Sequence, residues 1–167
     1  SRRNIDLTTI IFNNSIYGMT GGQASPLTPM GAFATTAPYG QTDRSFDIAA
    51  LAIAAGATYV ARGTAYHAMQ LTDLVAKGIA SKGFSVIDAV TQCPTSYGRK
   101  NKMGSPAAMM QWQKDNAVMI QAASKMKPEE LAGKFVIGEL HKTEAPEYTA
   151  EYDKLIARLA AKGGANQ

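Results

Sequence analysis

The sequence has 167 residues, of which 46% are hydrophobic and 18% are charged, and its formal net charge is +4. This composition is typical of one globular domain with an apolar core and excludes a disordered chain. A single cysteine excludes an internal disulfide and no apolar stretch is long enough to span a bilayer. We therefore expect a soluble cytoplasmic protein with no membrane partner.

The first half of the chain alternates between strand and helix patterns. The run from Leu7 to Phe12 is short, β-branched and apolar on both faces, which predicts a buried strand. Similar criteria predict strands at 58–62 and 84–90, and helices at 45–55 and 67–82. Ser45 is the predicted N-cap of the first helix. This alternation favours an α/β fold with a parallel sheet, whose ligands bind at the carboxyl ends of the strands.

The residue pattern in the second half of the sequence predicts mainly helices. A long helix is predicted from Ser105 to about Met126, followed by a helical start at 128–131. A short strand or extended arm is predicted at 135–140, and an amphipathic helix at 148–161. The glycine-rich end of that helix, Gly163-Gly164-Ala165, is expected to fray.

The helix predicted at 67–82 has a clear inward face. Five apolar residues occur on it at helical spacing: Met69, Leu71, Leu74, Val75 and Ile79. A short basic cluster, Arg99-Lys100-Asn101-Lys102, is interpreted as a solvated turn in preference to a nucleic-acid site. We therefore expect no nucleic-acid partner.

A segment of 36 residues, from Leu7 through Thr42, contains no Asp, Glu, Lys or Arg. At this overall charge content, independent placement would give such a gap roughly once in a thousand stretches. Gly21 and Gly22 allow close backbone approach to an anion, and Asn13 and Asn14 are neutral oxygen ligands that Mg²⁺ accepts beside phosphate. On composition alone, a purely structural turn remains a slightly better interpretation.

The order of the residues resembles a known family. Asn13 to Pro26, NNSIYGMTGGQASP, closely resembles the thiamine-diphosphate motif of the 2-oxoacid:ferredoxin oxidoreductase β subunits. The resemblance continues through 56–62 and 82–88, and the segments Cys93-Pro94-Thr95 and 98–104 most resemble the 2-oxoglutarate enzymes. It implies an α/β, three-layer thiamine-diphosphate-binding fold with a mostly parallel sheet, here incomplete at the N-terminal side.

The resemblance also implies particular site residues. Mg²⁺ would be held by the side chain of Asn14 and the carbonyl of Ile16. The diphosphate and thiazolium of thiamine diphosphate would lie along four consecutive residues: Tyr17, Gly18, Met19 and Thr20. Cys93 falls where the family places the fourth ligand of a [4Fe-4S] cluster. Its position alone is more typical of a small buried apolar residue.

Two features of the family are not found in this sequence before Asn13. They are a Gly-Asp-Gly segment that supplies a further Mg²⁺ ligand and three further cysteines that bind the cluster. We therefore expect the C-terminal part of a β subunit, inactive alone and without an assigned catalytic residue. Residues 1–104 would belong to the thiamine-diphosphate-binding domain. Residues 105–167 would form a C-terminal helical extension packing on it or on a partner subunit.

The intact complex is expected to decarboxylate a 2-oxoacid oxidatively, with 2-oxoglutarate favoured, and to form an acyl-CoA. Its partners would be the α subunit, ferredoxin, coenzyme A and the 2-oxoacid. Pyruvate and branched-chain 2-oxoacids remain alternative substrates, and a non-catalytic α/β interaction module remains an alternative of another class. Arg62 would contact a substrate carboxylate or pair with a surface acid such as Asp73.

Overall fold

Runs of β-branched and apolar residues form strands that alternate with helices in the computed structural model, which describes residues 2–163. In chain order the strands and α-helices are β1 (Leu7–Asn13), α1 (Ile48–Ala54), β2 (Tyr59–Thr64), α2 (Ala68–Ala80), β3 (Phe84–Val90), α3 (Pro106–Asn116), β4 (Ala117–Met119), α4 (Ile120–Ala123), β5 (Phe135–Lys142) and α5 (Tyr148–Gly163). A π-helical turn covers Pro94–Gly98 and a 3-10 turn covers Pro128–Leu131.

The sheet has the strand order β1-β3-β2-β5-β4. β1 and β2 both pair in parallel with β3, so that Val90 lies opposite Asn13 on one side and Thr64 on the other. β5 pairs antiparallel with β2 and parallel with β4. The predicted α/β fold with a mostly parallel sheet is confirmed. The carboxyl ends of β1, β2 and β3 form one rim.

The two faces of the sheet carry separate apolar cores because side chains alternate along each strand. Val60 and Val86 point to the face covered by α1, where they pack with the buried alanines of that helix. Tyr59 and Ile87 point to the opposite face and pack under α2. Two helical layers therefore sandwich the sheet, and together they hold the rim in place.

The prediction that the strand from Leu7 to Phe12 is buried is wrong, although the strand itself is confirmed. Within residues 2–163, β1 lies at the edge of the sheet and pairs only with β3. Leu7 and Phe12 are exposed, the latter by 71%. Apolar residues on both faces are typical of a central strand, and the sequence does not reveal which strand lies at an edge.

Two details of the first helices differ from the sequence predictions. Asp47, not Ser45, is the N-cap of α1, because its carboxylate accepts hydrogen bonds from two backbone N–H groups of the first turn. On α2, Leu74 is buried as predicted. Met69 and Ile79 are not, because they are 82% and 66% exposed and lie near the two ends of the helix.

The predicted long helix from Ser105 to Met126 is wrong. α3 ends at Asn116, and Ala117 adopts an extended conformation that begins β4. β4 pairs with β5, which is distant in sequence, and this pairing overrides the local helical pattern. The short strand predicted at 135–140 is confirmed as β5 and joins the sheet beside β2.

Residues 105–163 therefore contribute two strands to the same sheet as the first half of the chain. The proposed division at residue 104 stays a prediction. The amphipathic helix predicted at 148–161 is confirmed as α5. Gly164 and Ala165, which were expected to fray, lie outside the described residues. Between residues 2 and 163 no helix combines the length and the apolar character needed to cross a membrane.

Candidate functional site

The double asparagine forms two overlapping turns at the carboxyl end of β1. Asn13 Oδ1 accepts a hydrogen bond from the Ser15 N–H at 3.2 Å, and Asn14 Oδ1 accepts one from the Ile16 N–H at 3.4 Å. Ser15 has φ 62°, a left-handed conformation that occurs in some types of tight turn. The buried Thr28 hydroxyl donates to the Ser15 carbonyl at 2.7 Å and fixes this turn from the far side of the loop.

Two oxygen atoms of this turn retain capacity for a metal ion. The Asn14 side-chain oxygen accepts one long hydrogen bond, and the Ile16 carbonyl accepts none from residues 2–163. A neutral amide oxygen and a backbone carbonyl are the kind of ligands that Mg²⁺ takes together with phosphate oxygens. The predicted metal ligands on this loop are therefore chemically suited to that role.

Three consecutive backbone N–H groups follow the turn. Within the described part of the chain, the N–H groups of Gly18, Met19 and Thr20 donate to no acceptor. The loop around them is closed by hydrogen bonds from Tyr17 N to the Gln23 carbonyl and from Gly22 N to the Tyr17 carbonyl. Successive free N–H groups in a fixed turn provide partial positive charge for an anion.

The side chains of this segment differ in what they offer a ligand. Tyr17 and Met19 are exposed, whereas the Thr20 hydroxyl donates to Gln23 Oε1 at 2.7 Å. Gly22 has φ 84°, and a Cβ there would lie 3.2 Å from both Thr35 Oγ1 and Ser96 Cβ. The glycine thus allows the loop after β1 to approach the loop after β3 closely.

Cys93 lies in that second loop, directly before the π-helical turn. Burial alone would raise the pKa of its thiol, but hydrogen bonds from the backbone N–H groups of Ser96 and Tyr97 outweigh burial and lower the pKa below its ordinary value. The thiol is free and partly exposed. This environment favours the thiolate, which is the form that binds metals.

The structure brings the predicted residues of the two loops together. A Cβ at Gly18 would lie 3.0 Å from Cys93 Sγ. No group of three or more His, Cys, Asp or Glu side chains suited to a metal occurs within residues 2–163. Cys93 is therefore a single potential ligand, placed against the glycine of the candidate cofactor loop.

Arg62 has partners that sequence reasoning missed. Its Nε donates to Asp88 Oδ2 at 2.7 Å and its Nη2 to Asp47 Oδ1 at 2.5 Å, and Asp73 is not involved. Burial alone would lower the pKa of Arg62, but the hydrogen bonds and charges of both aspartates outweigh it and raise that pKa. With two carboxylates already bound, Arg62 is poorly suited to the alternative role of holding a substrate carboxylate.

The partnership between Arg62 and Asp88 follows from sheet register. The two residues lie opposite each other in the parallel pair of β2 and β3. The sequence carries a signal for it, since each residue is the one charged position in an otherwise uncharged strand. Asp47 could not be found this way, because it approaches from the loop before α1.

The chain belongs to the family described as thiamine pyrophosphate enzyme, C-terminal TPP binding domain, which matches residues 1–89. This match and the parallel sheet agree with the resemblance found in the double-asparagine motif. The family predicted from the sequence is confirmed.

Within that class the chain is similar to 2-oxoglutarate synthase subunit KorB. It is 51% identical to the protein of that name from Methanothermobacter marburgensis over 98% of this chain and 56% of the relative. It is 53% identical to that of Methanocaldococcus jannaschii over 96% of this chain and 60% of the relative. The chain thus spans little more than half the length of these curated relatives.

A solved structure has the same fold. The match is a 2-oxoglutarate:ferredoxin oxidoreductase from Magnetococcus marinus with 2-oxoglutarate, coenzyme A and succinyl-CoA bound. The TM-score is 0.79 and the identity 27%, over 95% of this chain and 55% of that one. The similarity therefore covers the second half of the present chain as well as the region matched by the family.

Proposed function

We propose that this chain is part of the β subunit of a 2-oxoacid:ferredoxin oxidoreductase that acts in the cytoplasm. The intact enzyme would convert a 2-oxoacid, with 2-oxoglutarate favoured, and coenzyme A into an acyl-CoA, and it would pass the electrons to ferredoxin. The similarity to KorB subunits supports the choice of 2-oxoglutarate. The α subunit would complete the active site.

The observation that carries this proposal is the set of free groups on the loop after β1. The N–H groups of Gly18, Met19 and Thr20 would face the diphosphate, and Asn14 Oδ1 with the Ile16 carbonyl would hold Mg²⁺. When bound, thiamine diphosphate supplies the carbanion chemistry of decarboxylation. The loop itself has no charged side chain, so the metal would supply the positive charge that balances the diphosphate.

Cys93 would supply one thiolate to a [4Fe-4S] cluster. The backbone N–H groups of Ser96 and Tyr97 favour its deprotonated form, which is the form that binds iron. The remaining cluster ligands would come from residues that this sequence does not include. The contact between Gly18 and Cys93 would keep the cluster ligand next to the cofactor loop, which suits electron transfer from one to the other.

The proposal is tested on the complete subunit assembled with its partner. Thermal unfolding with Mg²⁺ and thiamine diphosphate at about 100 times the dissociation constant should show a stabilisation of about 2.7 kcal/mol relative to Mg²⁺ alone. Turnover of 2-oxoglutarate, pyruvate and 2-oxoisovalerate with ferredoxin and coenzyme A should be fastest for 2-oxoglutarate. Absence of any stabilisation and of any turnover would favour the non-catalytic interaction module instead.

A further inference from the structure

The apolar stripe of α5 is uncovered in the part of the chain that the structure describes. Helical spacing places five large side chains along one side of this helix. All five are exposed, Leu159 by 58%, and they are Tyr148, Tyr152, Leu155, Ile156 and Leu159. A contiguous apolar surface of this kind is typical of a protein contact and not of a solvated helix face.

The interactions that anchor α5 lie at its first turn. The Tyr148 N–H donates to the Asn4 carbonyl at 3.2 Å, and the Arg3 guanidinium lies 5.4 Å from the centre of the Tyr148 ring. From residue 151 to residue 161, no hydrogen bond or ion pair joins α5 to another described helix or strand. The remaining turns of the stripe are therefore accessible to a partner.

The spacing of the stripe is that of a coiled-coil seam. Four of its residues follow one another at intervals of four, three and four: Tyr148, Tyr152, Leu155 and Leu159. These intervals correspond to positions d, a, d and a of two successive heptads, and Ile156 follows at position e. Such a seam is buried best by a second helix, whose side chains fill the spaces between those of the first. The stripe is thus suited to a helical partner.

Two residues of opposite charge flank the seam on one side. Glu151 and Arg158 occupy the g positions of successive heptads. Glu151 Oε1 accepts from Lys154 Nζ within the helix, whereas Arg158 has no ion-pair partner among the described residues. When two identical helices pack antiparallel, their g positions face each other, so Glu151 of each copy would meet Arg158 of the other. The flank of α5 is therefore complementary in charge to itself.

The sizes of the seam residues favour the same antiparallel register. In that register every layer of the seam places a tyrosine of one copy opposite a leucine of the other, with Tyr148 facing Leu159 and Tyr152 facing Leu155. Large and small side chains that alternate across a contact interdigitate well.

A parallel pair of α5 helices would be a poorer match. Each layer would then place tyrosine against tyrosine or leucine against leucine. Glu151 would face Ile156 of the other copy and lose the charge partner that the antiparallel register provides. Both the charges and the sizes of the side chains therefore favour the antiparallel arrangement.

We propose that α5 is a self-association surface, on which the α5 helices of two copies of this chain pack antiparallel about a two-fold axis. Each copy would contribute the same residues to both halves of the contact, as in other isologous dimers. Two helices of 16 residues form a contact at the small end of specific interfaces, so the association is expected to depend on protein concentration. This inference does not depend on the proposed function.

The test reverses the two charges one at a time on the complete subunit in its complex. Glu151→Arg would place arginine opposite arginine, and Arg158→Glu would place glutamate opposite glutamate. Sedimentation velocity over a concentration series should show that each variant associates with itself at least 10-fold more weakly than the wild type. An equal mixture of the two variants should associate as tightly as the wild type within about 3-fold, because each arginine then meets a glutamate.

Asp153→Arg is the matched control. It makes the same change of charge as Glu151→Arg on an exposed residue of α5 that lies outside the seam and its g positions. This variant should associate like the wild type, and mixing it with Arg158→Glu should restore nothing.

Recovery in the mixture separates a specific contact from a damaged helix, since two damaged helices would not repair each other. Absence of wild-type self-association, unchanged association of both single variants, no recovery in the mixture, or an equal loss in Asp153→Arg would each overturn the proposal. If another segment of the subunit or the α subunit covers the stripe instead, association of the copies will be the same in all variants.

Discussion

Gly18 and Cys93 lie in direct contact, since a Cβ added to Gly18 would be 3.0 Å from Cys93 Sγ. The two residues follow different strands, β1 and β3, which are parallel neighbours in the sheet. The φ of Gly18 is not in the left-handed region, so this close tertiary contact, and not backbone conformation, favours glycine at position 18. This contact joins the candidate cofactor loop to the candidate thiolate ligand.

The Gly18→Ala substitution tests this contact. In protein prepared without an iron–sulfur cluster, the added methyl should lower the free energy of unfolding by about 1–3 kcal/mol, because it overpacks against the sulfur. In a Cys93→Ala background the same substitution should cost less than half as much, since the sulfur is gone. Urea unfolding of the four proteins measures both costs.

Met19→Ala is the control for this cycle. Met19 is the next residue and is fully exposed, so its truncation should change the free energy of unfolding by no more than about 0.5 kcal/mol. A Gly18→Ala cost that is the same with and without the sulfur atom would show that the two residues are not coupled.

Asp47 combines a helix cap with an ion pair, and the two roles can be separated by pH. Burial opposes its ionisation, but hydrogen bonds from α1 and the charge of Arg62 outweigh burial and lower the pKa of Asp47. Its charge therefore stabilises the fold above the pKa of the unfolded chain, and this contribution is lost as pH falls through the lower folded pKa. Asp47→Asn keeps the cap and removes the charge.

Denaturant unfolding should be measured from pH 7 downward. The free energy of unfolding of the wild type should exceed that of Asp47→Asn at pH 7, and this difference should disappear in acid. The free energy of unfolding of Asp47→Ala should be lower than that of Asp47→Asn by about 1 kcal/mol at every pH, because alanine cannot cap α1. A difference between wild type and Asp47→Asn that stays constant across the whole pH range would contradict the ion-pair role.

Asn4 ties the start of the chain to the segment before α5. Its Nδ2 donates to the carbonyls of Ala145 and Pro146, and its Oδ1 accepts from the Phe84 N–H at 2.9 Å. Asn4 is buried and has φ 49°. Asn4→Ala should lower the free energy of unfolding by about 2–4 kcal/mol, because it leaves buried groups unsatisfied and strains the backbone.

Asn4→Gly separates these two causes. Glycine tolerates the left-handed conformation, so this variant should be about 1 kcal/mol more stable than Asn4→Ala in the same urea titration. Asp6→Ala is the control, since Asp6 forms an exposed ion pair with Lys82 and its loss should cost less than about 1 kcal/mol. Equal stability of the alanine and glycine variants at position 4 would contradict the backbone contribution.

The lowered pKa of Cys93 predicts an unusual thiol reactivity. In protein prepared without a cluster, iodoacetamide should alkylate Cys93 with a pH midpoint below that of the same thiol in denaturant, because the N–H groups of Ser96 and Tyr97 stabilise the thiolate. Mass spectrometry of the peptide that contains Cys93 measures the rate at each pH. Identical midpoints in folded and denatured protein would rule out this stabilisation.

Much of the fold follows from local pattern. The strand predicted at 84–90 has the same bounds in the structure, because it is a mostly apolar run between a glycine and a polar loop. The end of α3 at Asn116 could not be predicted from local pattern, because nothing in the local sequence indicates that Ala117 pairs with Phe135. The exposure of Phe12 is missed for a similar reason, since the place of a strand in the sheet is a non-local property.

Some features of the candidate site could likewise be predicted from the sequence, and others could not. The proximity of the loops after β1 and β3 could be predicted, because parallel strands end at one rim. The free N–H groups of Gly18 to Thr20 could not, because they depend on which turns close around them. The pairing of Arg62 with Asp88 required the sheet register, and its link to Asp47 required the path of the loop before α1.

The most direct measurement is the Mg²⁺ dependence of thiamine diphosphate binding to the complete subunit, in Asn14→Ala and Asn13→Ala variants. Both asparagines accept the same kind of hydrogen bond, from the N–H two residues later, so a merely structural turn would suffer alike from either change. We predict that Asn14→Ala raises the Mg²⁺ concentration needed for half-maximal cofactor binding about 10-fold or more, as loss of a metal ligand or its support typically does. Asn13→Ala should raise it no more than about 3-fold. Equal effects of the two substitutions, or no effect of Asn14→Ala, would contradict the assignment of Asn14 as a metal ligand.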